Sequence, residues 1–451
     1  MPADTLAERG APLPAGDEHA VDHAELVRVF GKIGLISFGG PAGQIALMHR
    51  LLVDEKKWLT EAQFLHALNF CMLLPGPEAM QLATYAGWLM KGVAGGLIAG
   101  LLFILPGFVV LTALSALYVT LGDVPVVEGL LFGLKAAVLA IVLEAMIKVG
   151  KRALKSRAAY GVALVAFLAI AVFSVPFPII ILAAGLIGIA LRHVFAPGSS
   201  ATAHGPVDAA LPSPRVTWGE SARTLVIWGA IWLVPLALLF VALGQENVFA
   251  AQALFFSQTA IVAFGGAYAV LAYVGQQAVE FYGWLQPDEM LTGLGLAETT
   301  PGPLILVLIF VGFLGAFRLS GLEPMLGGVL GGFTALFFTF APCFLWIFLG
   351  APHIERLRGV RWLAAALSAI TAAVVGVIAN LAVWFGLNVL FGQSETVRVG
   401  PAEFPLVDVA ALDWAALAIA VAAGVALIRH HVNIFIVLGL AAAAGVAVTL
   451  I

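Results

Sequence analysis

The sequence predicts an all-α polytopic membrane protein, made of two inverted-topology repeats whose helices break or turn back at Phe-Gly-Gly and Pro-Gly-Pro motifs. Three observations predict it. Of the 451 residues, 62% are hydrophobic and 11% charged, with a mean hydropathy of +1.04. Apolar runs of roughly 18 to 25 residues recur from end to end, each long enough for a hydrocarbon core about 30 Å thick. The second half of the chain also repeats the first at a constant spacing.

At an offset of 226 residues, Phe30 falls on Phe256, Phe38-Gly39-Gly40 on Phe264-Gly265-Gly266, Trp58-Leu59 on Trp284-Leu285, and Pro75-Gly76-Pro77 on Pro301-Gly302-Pro303. No gap intervenes. Ten residues inserted near Phe317 to Met325 change the offset to 236, which places Pro106 on Pro342 and residues 134–140 on 370–376. A constant period of this kind marks an internal duplication. The expected division is a disordered polar tail (1–23), a first repeat (24–195), a linker (196–222), a joining helix (223–248), a second repeat (249–391), an external loop (392–410) and a terminal helix pair (411–451).

Basic loops orient the copies, because Lys and Arg accumulate on the cytoplasmic side. The loop holding Lys148, Lys151, Arg152, Lys155 and Arg157 is placed inside, and the acidic loop with Asp123 and Glu128 outside. Spans at about 158–175 and 177–195 return the chain to Arg192, Arg215 and Arg223. The joining helix then delivers the second copy to the outer face, and Arg356, Arg358 and Arg361 mark its return. Arg429, His430 and His431 join the last two spans inside. Nine crossings put the N-terminus in the cytoplasm, the C-terminus outside, and the two repeats in opposite orientations, as in many secondary transporters.

Proline inside a helix removes a hydrogen bond and forces the preceding residue toward extended geometry. Pro-Gly-Pro should therefore end one half-helix and begin another. Within hydrocarbon, such freed backbone is tolerated only against protein or a watered cavity. Helix N-termini carry about half a positive charge and bind anions, so donors are expected near Glu78 to Met80 and Leu304 to Leu306. Glycines allow close backbone approach at Gly39, Gly40, Gly265 and Gly266. The candidate anion site thus comprises these glycines, Gln44, Pro75, Gly76, Pro77, Gln81, Lys135, Thr299, Thr300, Pro301, Gly302 and Pro303. Purely structural kinks are the competing reading. Lys135 lies mid-span, where a lysine costs about 2.5 to 3.5 kcal/mol and needs a cavity or a partner, with Glu144 as the structural alternative. Glu78 and Glu298 are candidates for proton coupling, against a simple dipole role.

A net charge of -4 without a basic tract sets nucleic acid aside. Cys71 and Cys343 both lie in apolar segments, giving neither a disulfide framework nor a metal quartet. No cofactor or metal is expected. Sparse intramembrane ionisable groups argue against a membrane enzyme, and a channel stays open as an alternative to a carrier.

The stretch from Ser37 to Met90, "SFGGPAGQIALMHRLL…LLPGPEAMQLATYAGWLM", closely resembles the amino-terminal domain of the chromate ion transporters, and the second copy resembles the carboxy-terminal domain of their long members. The resemblance implies an efflux carrier for chromate in the bacterial cytoplasmic membrane that gives chromate resistance. Sulfate or another oxyanion is the alternative substrate. The other expected partners are the lipid bilayer and a second copy in a homodimer. Leu304 stands where the first copy has Glu78, which implies unequal roles for the two halves.

Overall fold

The computed structural model describes residues 21–195, 217–264, 266–353, 360–392, 395–400 and 402–450. Gly265, Arg356, Arg358 and most of the 196–222 linker lie outside these. The protein is a multi-pass, all-α membrane protein. Its first half contains α1 (His23–Ile36), α2 (Gly40–His49), α3 (Glu61–Cys71), α4 (Glu78–Leu121), α5 (Pro125–Ala153), α6 (Arg157–Ala171), α7 (Phe177–Ala190) and a single turn, α8 (Arg192–Phe195). After α9 (Trp218–Leu243) come α10 (Val248–Val262), α11 (Ala267–Gln276), α12 (Pro287–Glu298), α13 (Val307–Leu319), α14 (Pro324–Gly350) and α15 (Arg361–Phe391). The expected external loop contains a two-stranded hairpin, β1 (Glu395–Val399) with β2 (Ala402–Leu406). Helices α16 (Trp414–Gly424) and α17 (Ile434–Leu450) close the chain.

Among the described residues, five helices are long and apolar enough to cross a membrane: α4, which is broken at Lys91 and Gly92 (φ 60° at Gly92) so that its two arms pack at Gly87 and Gly95, and α5, α9, α14 and α15. The spans expected at 158–175, 177–195, 411–428 and 431–450 are all shorter. Helix α6 stops at Ala171, because Ser174 takes a left-handed turn (φ 48°) and Pro176 and Pro178 restart the chain as α7, which runs to Ala190. Fourteen residues of α7 reach about 21 Å, short of a core of about 30 Å. The joining helix α9 begins at Trp218 rather than Arg223, since Thr217 and Glu220 form a reciprocal capping box.

The helix ends recur with the sequence period. Helix α2 runs into a π-helical turn at Arg50–Glu55, and α11 into one at Gln277–Phe281. Trp58 N–H donates to Leu52 and Trp284 N–H to Ala278, both at 2.8 Å and 226 residues apart. Capping boxes start α3 (Thr60 with Gln63) and α12 (Gln286 with Glu289). Helices α16 and α17 begin 257 residues after α6 and α7, an offset enlarged by the hairpin. Each long helix then packs on the other half's pair: α5 against α16 and α17, and α15 against α6 and α7.

Small residues make these crossings close. A Cβ on Gly445 of α17 would strike the backbone of Gly129 and Gly133 on α5. Gly445→Leu should therefore destabilise the protein by about 1–3 kcal/mol, read as a lower thermal midpoint in detergent. Gly439→Ala, which meets open space, should leave the midpoint unchanged.

Candidate functional site

All four motif breaks meet in one place. Helix α1 ends at Ile36 and α10 at Val262, leaving terminal carbonyls that hydrocarbon cannot satisfy. Gly302 N–H donates to Ser37 O at 2.8 Å, and Gly76 N–H donates to Ala263 O at 2.9 Å. The Pro-Gly-Pro of each half thus ties off the broken helix of the other. Both glycines have positive φ, 121° at Gly76 and 98° at Gly302, where a side chain would be strained. Gln44 reinforces one joint, its Nε2 donating to Gly302 O at 2.7 Å, and Gln81 the other, donating to Pro75 O at 2.7 Å.

Beside the joints lies a cavity of about 590 Å³. Gly39 and Gly40 line it at the start of α2, and Gly266 and Ala267 at the start of α11. Neither helix start carries a side-chain cap, and the first-turn residues Gly40 to Ala42 and Gly266 to Tyr268 line the cavity, so the helix starts that border it are the ends whose N–H groups lack intrahelical partners. Helix α5 supplies a stripe of charge spaced by four residues, Glu144, Lys148 and Arg152, followed by Lys155. Glu144 is held by Lys148 at 2.7 Å. Glu78 and Glu298 complete the ionisable lining, and Tyr268 Oη donates to Glu298 Oε1 at 2.6 Å. Three cations and three carboxylates balance formally, leaving two helix N-termini as the positive excess. Such a surface can hold an oxyanion by backbone donors and guanidinium without trapping it.

The expected site divides accordingly. Gly39, Gly40, Gly266, Glu78 and Glu298 come together at the cavity. Pro75, Gly76, Pro77, Pro301, Gly302, Pro303, Gln44 and Gln81 build the joints behind it. The donors expected at Glu78–Met80 and Leu304–Leu306 do not face a ligand space as a set: Ala79, Met80 and the 3-10 turn Leu304–Leu306 are packed in the core. Thr299 and Thr300 donate to Leu296 and Ala297 carbonyls. Lys135 lies elsewhere. Its ammonium pairs with Asp288 at 3.5 Å rather than with Glu144, in a second cavity of about 450 Å³. Arg318 also borders that cavity and grips Glu289 with both terminal guanidinium nitrogens, Nη2 at 2.5 Å and Nη1 at 2.8 Å. The residues missed from sequence are Glu144, Lys148, Arg152, Lys155 and Tyr268. The four-residue charge spacing on α5 is the sequence signal for the charged ones, and it runs into the same basic loop that orients the chain.

Comparison with known proteins shows the family. The chromate transporter family model matches residues 24–189 and 250–446. A chromate transport protein of Pseudomonas aeruginosa is 32% identical over 364 residues, covering 79% of this chain and 80% of that protein. A chromate transport protein of Cupriavidus metallidurans is 26% identical over 435 residues, covering 91% of this chain and 92% of the relative. An uncharacterized transporter of Bacillus subtilis is 31% identical over 134 residues, which are 68% of its length but 30% of this one. No solved structure matches. With the matched family segments spanning both halves and the motif joints between them, the chain belongs to the chromate transporter family.

Proposed function

We propose that the protein carries chromate out of the cytoplasm as a secondary transporter of the bacterial cytoplasmic membrane, giving chromate resistance, with two inverted repeats meeting at the four breaks. The observation that carries this reading is the single cavity lined by two uncapped helix N-termini together with Arg152 and Lys155. Chromate is a tetrahedral dianion, and such donors suit its shape and charge. The reciprocal joints at Gly76 and Gly302 support the repeat reading. So does the Bacillus subtilis relative, which is less than half as long as this chain.

In this scheme the Lys148–Arg157 loop faces the cytoplasm, so the large cavity loads from inside. Expelling a dianion across about 150 mV, inside negative, releases roughly 7 kcal/mol, which suffices to drive export by uniport. A proton-coupled reading is favoured by one observation: buried Glu298 is hydrogen-bonded to the Tyr268 phenol rather than paired to a cation. Uptake of radiolabelled chromate into inside-out vesicles tests both. Saturable uptake driven by an interior-positive potential, and lost when the potential is collapsed, is expected for uniport. A requirement for a pH gradient, removed in Glu298→Gln, would shift the mechanism to proton coupling. Sulfate uptake without chromate uptake would overturn the substrate.

A further inference from the structure

The second cavity is joined to the first by two helices that line both. On α12, Asp288, Thr292, Gly295 and Glu298 follow one another at spacings of four, three and three, which keeps them on one face. Asp288 and Thr292 line the second cavity and Glu298 the first. On α5, Leu131 and Lys135 line the second cavity while Ile141, Ala145 and Lys148 line the first, again at spacings of three or four along one face with Val138 between. The two helices pack together there, and Gly295 is the point of contact. A Cβ built on Gly295 would lie 3.3 Å from Leu134 Cβ and 3.5 Å from Val138 Cγ2. From Lys135 to Ile141 the rise along α5 is about 9 Å. A thin apolar seam therefore separates two charged cavities along a shared pair of helix faces.

We infer that the second cavity is the far vestibule of the same pathway, and that the seam of Leu134, Val138 and Gly295 is the gate between the two. The inference rests on the proposed transport of an oxyanion. An anion passing the seam meets Lys135 as its next cation. Asp288, more than half exposed and 3.5 Å away, is placed to compete for that ammonium. The contact is longer than the usual range of about 2.7–3.2 Å, so an arriving oxyanion can displace the carboxylate and then be displaced by it. Lysine alone would retain a dianion, whereas the lysine–aspartate pair allows release. Glycine at 295 keeps the helices close enough for two apolar side chains to exclude water.

Cysteine placement tests this in a Cys71→Ser, Cys343→Ser background, both native thiols being buried and free. In Leu134→Cys with Gly295→Cys, the 3.3 Å between the Cβ positions lies a few tenths of an ångström inside the roughly 3.5–4.5 Å of a disulfide, so a small parting of the helices closes the bond. Oxidation should lower chromate uptake at least about tenfold, with recovery after reduction and removal of the reductant. Uptake by the cross-linked protein as fast as that of the same protein with its thiols reduced would overturn the gate. Separately, a membrane-impermeant thiol reagent should reach Lys135→Cys from one face of the vesicle and Lys155→Cys from the opposite face. Labelling of both from one face would overturn the vestibule. The labelling needs no transport, so a failure of the parent protein to move chromate would be read separately from the geometry of the pathway.

Discussion

Gly76→Leu is expected to abolish chromate uptake and to lower the amount of folded protein, because two penalties coincide at that residue. A side chain at φ 121° is strained by about 1–3 kcal/mol. Its Cβ would also lie 2.8 Å from Cys343 Sγ and 2.9 Å from Gln81 Nε2, adding an overpacking cost of about 1–3 kcal/mol. The shift that relieves either penalty pulls Gly76 N–H from Ala263 O and leaves the end of α10 unsatisfied. Gly302→Leu should match it, with φ 98°, a Cβ 2.7 Å from Leu306 Cδ1, and the bond to Ser37 O at stake. Gly39→Ala is the milder contrast. Its φ is 85° but nothing lies within 4 Å of the added carbon, so only a strain of about 1–2 kcal/mol applies. Thermal midpoints in detergent and vesicle uptake, measured on the same preparations, separate joint failure from site failure. Equal midpoints for Gly76→Leu and the parent would show that the joint is not structural.

The second large effect concerns the charge stripe of α5. Neutralising Arg152 and Lys155 together to Gln should raise the chromate KM about ten- to a hundredfold, or about 1.4 kcal/mol for each tenfold. Charge attraction in an open cavity is partly screened, which keeps the effect below that of a buried pair. Glu144→Gln should act in the opposite direction. It releases Lys148 from its 2.7 Å partner and makes the cavity more positive, lowering KM while slowing turnover. Initial rates of vesicle uptake across chromate concentrations check both signs. A rise in KM for Glu144→Gln would contradict the electrostatic reading of the cavity.

The membrane class was legible because it rests on composition, and the period of 226 because Phe-Gly-Gly and Pro-Gly-Pro are rare enough to align without doubt. Helix ends near these motifs follow from proline and positive-φ glycine, which act locally. The partners of those ends were not legible. That Gly76 serves Ala263 and Gly302 serves Ser37 depends on how the halves dock, which local chemistry does not specify. For the same reason the sequence favoured Pro-Gly-Pro as the source of anion donors, whereas the uncapped starts of α2 and α11 reach the cavity. Lys135 illustrates the limit from the other side. Its need for a partner followed from burial cost, but Asp288 is 153 residues away and carried by another half of the chain. Glu144, nine residues on and the structural alternative open to Lys135 in the sequence, is bound to Lys148.

The most direct test of the central claim is chromate counterflow in proteoliposomes containing the purified protein. Vesicles loaded with unlabelled chromate and diluted into a trace of radiolabelled chromate should accumulate label transiently above equilibrium, saturably, and less so when Arg152 and Lys155 are both Gln. Label that only equilibrates, regardless of what the vesicles contain, would contradict an oxyanion carrier and leave a channel in its place.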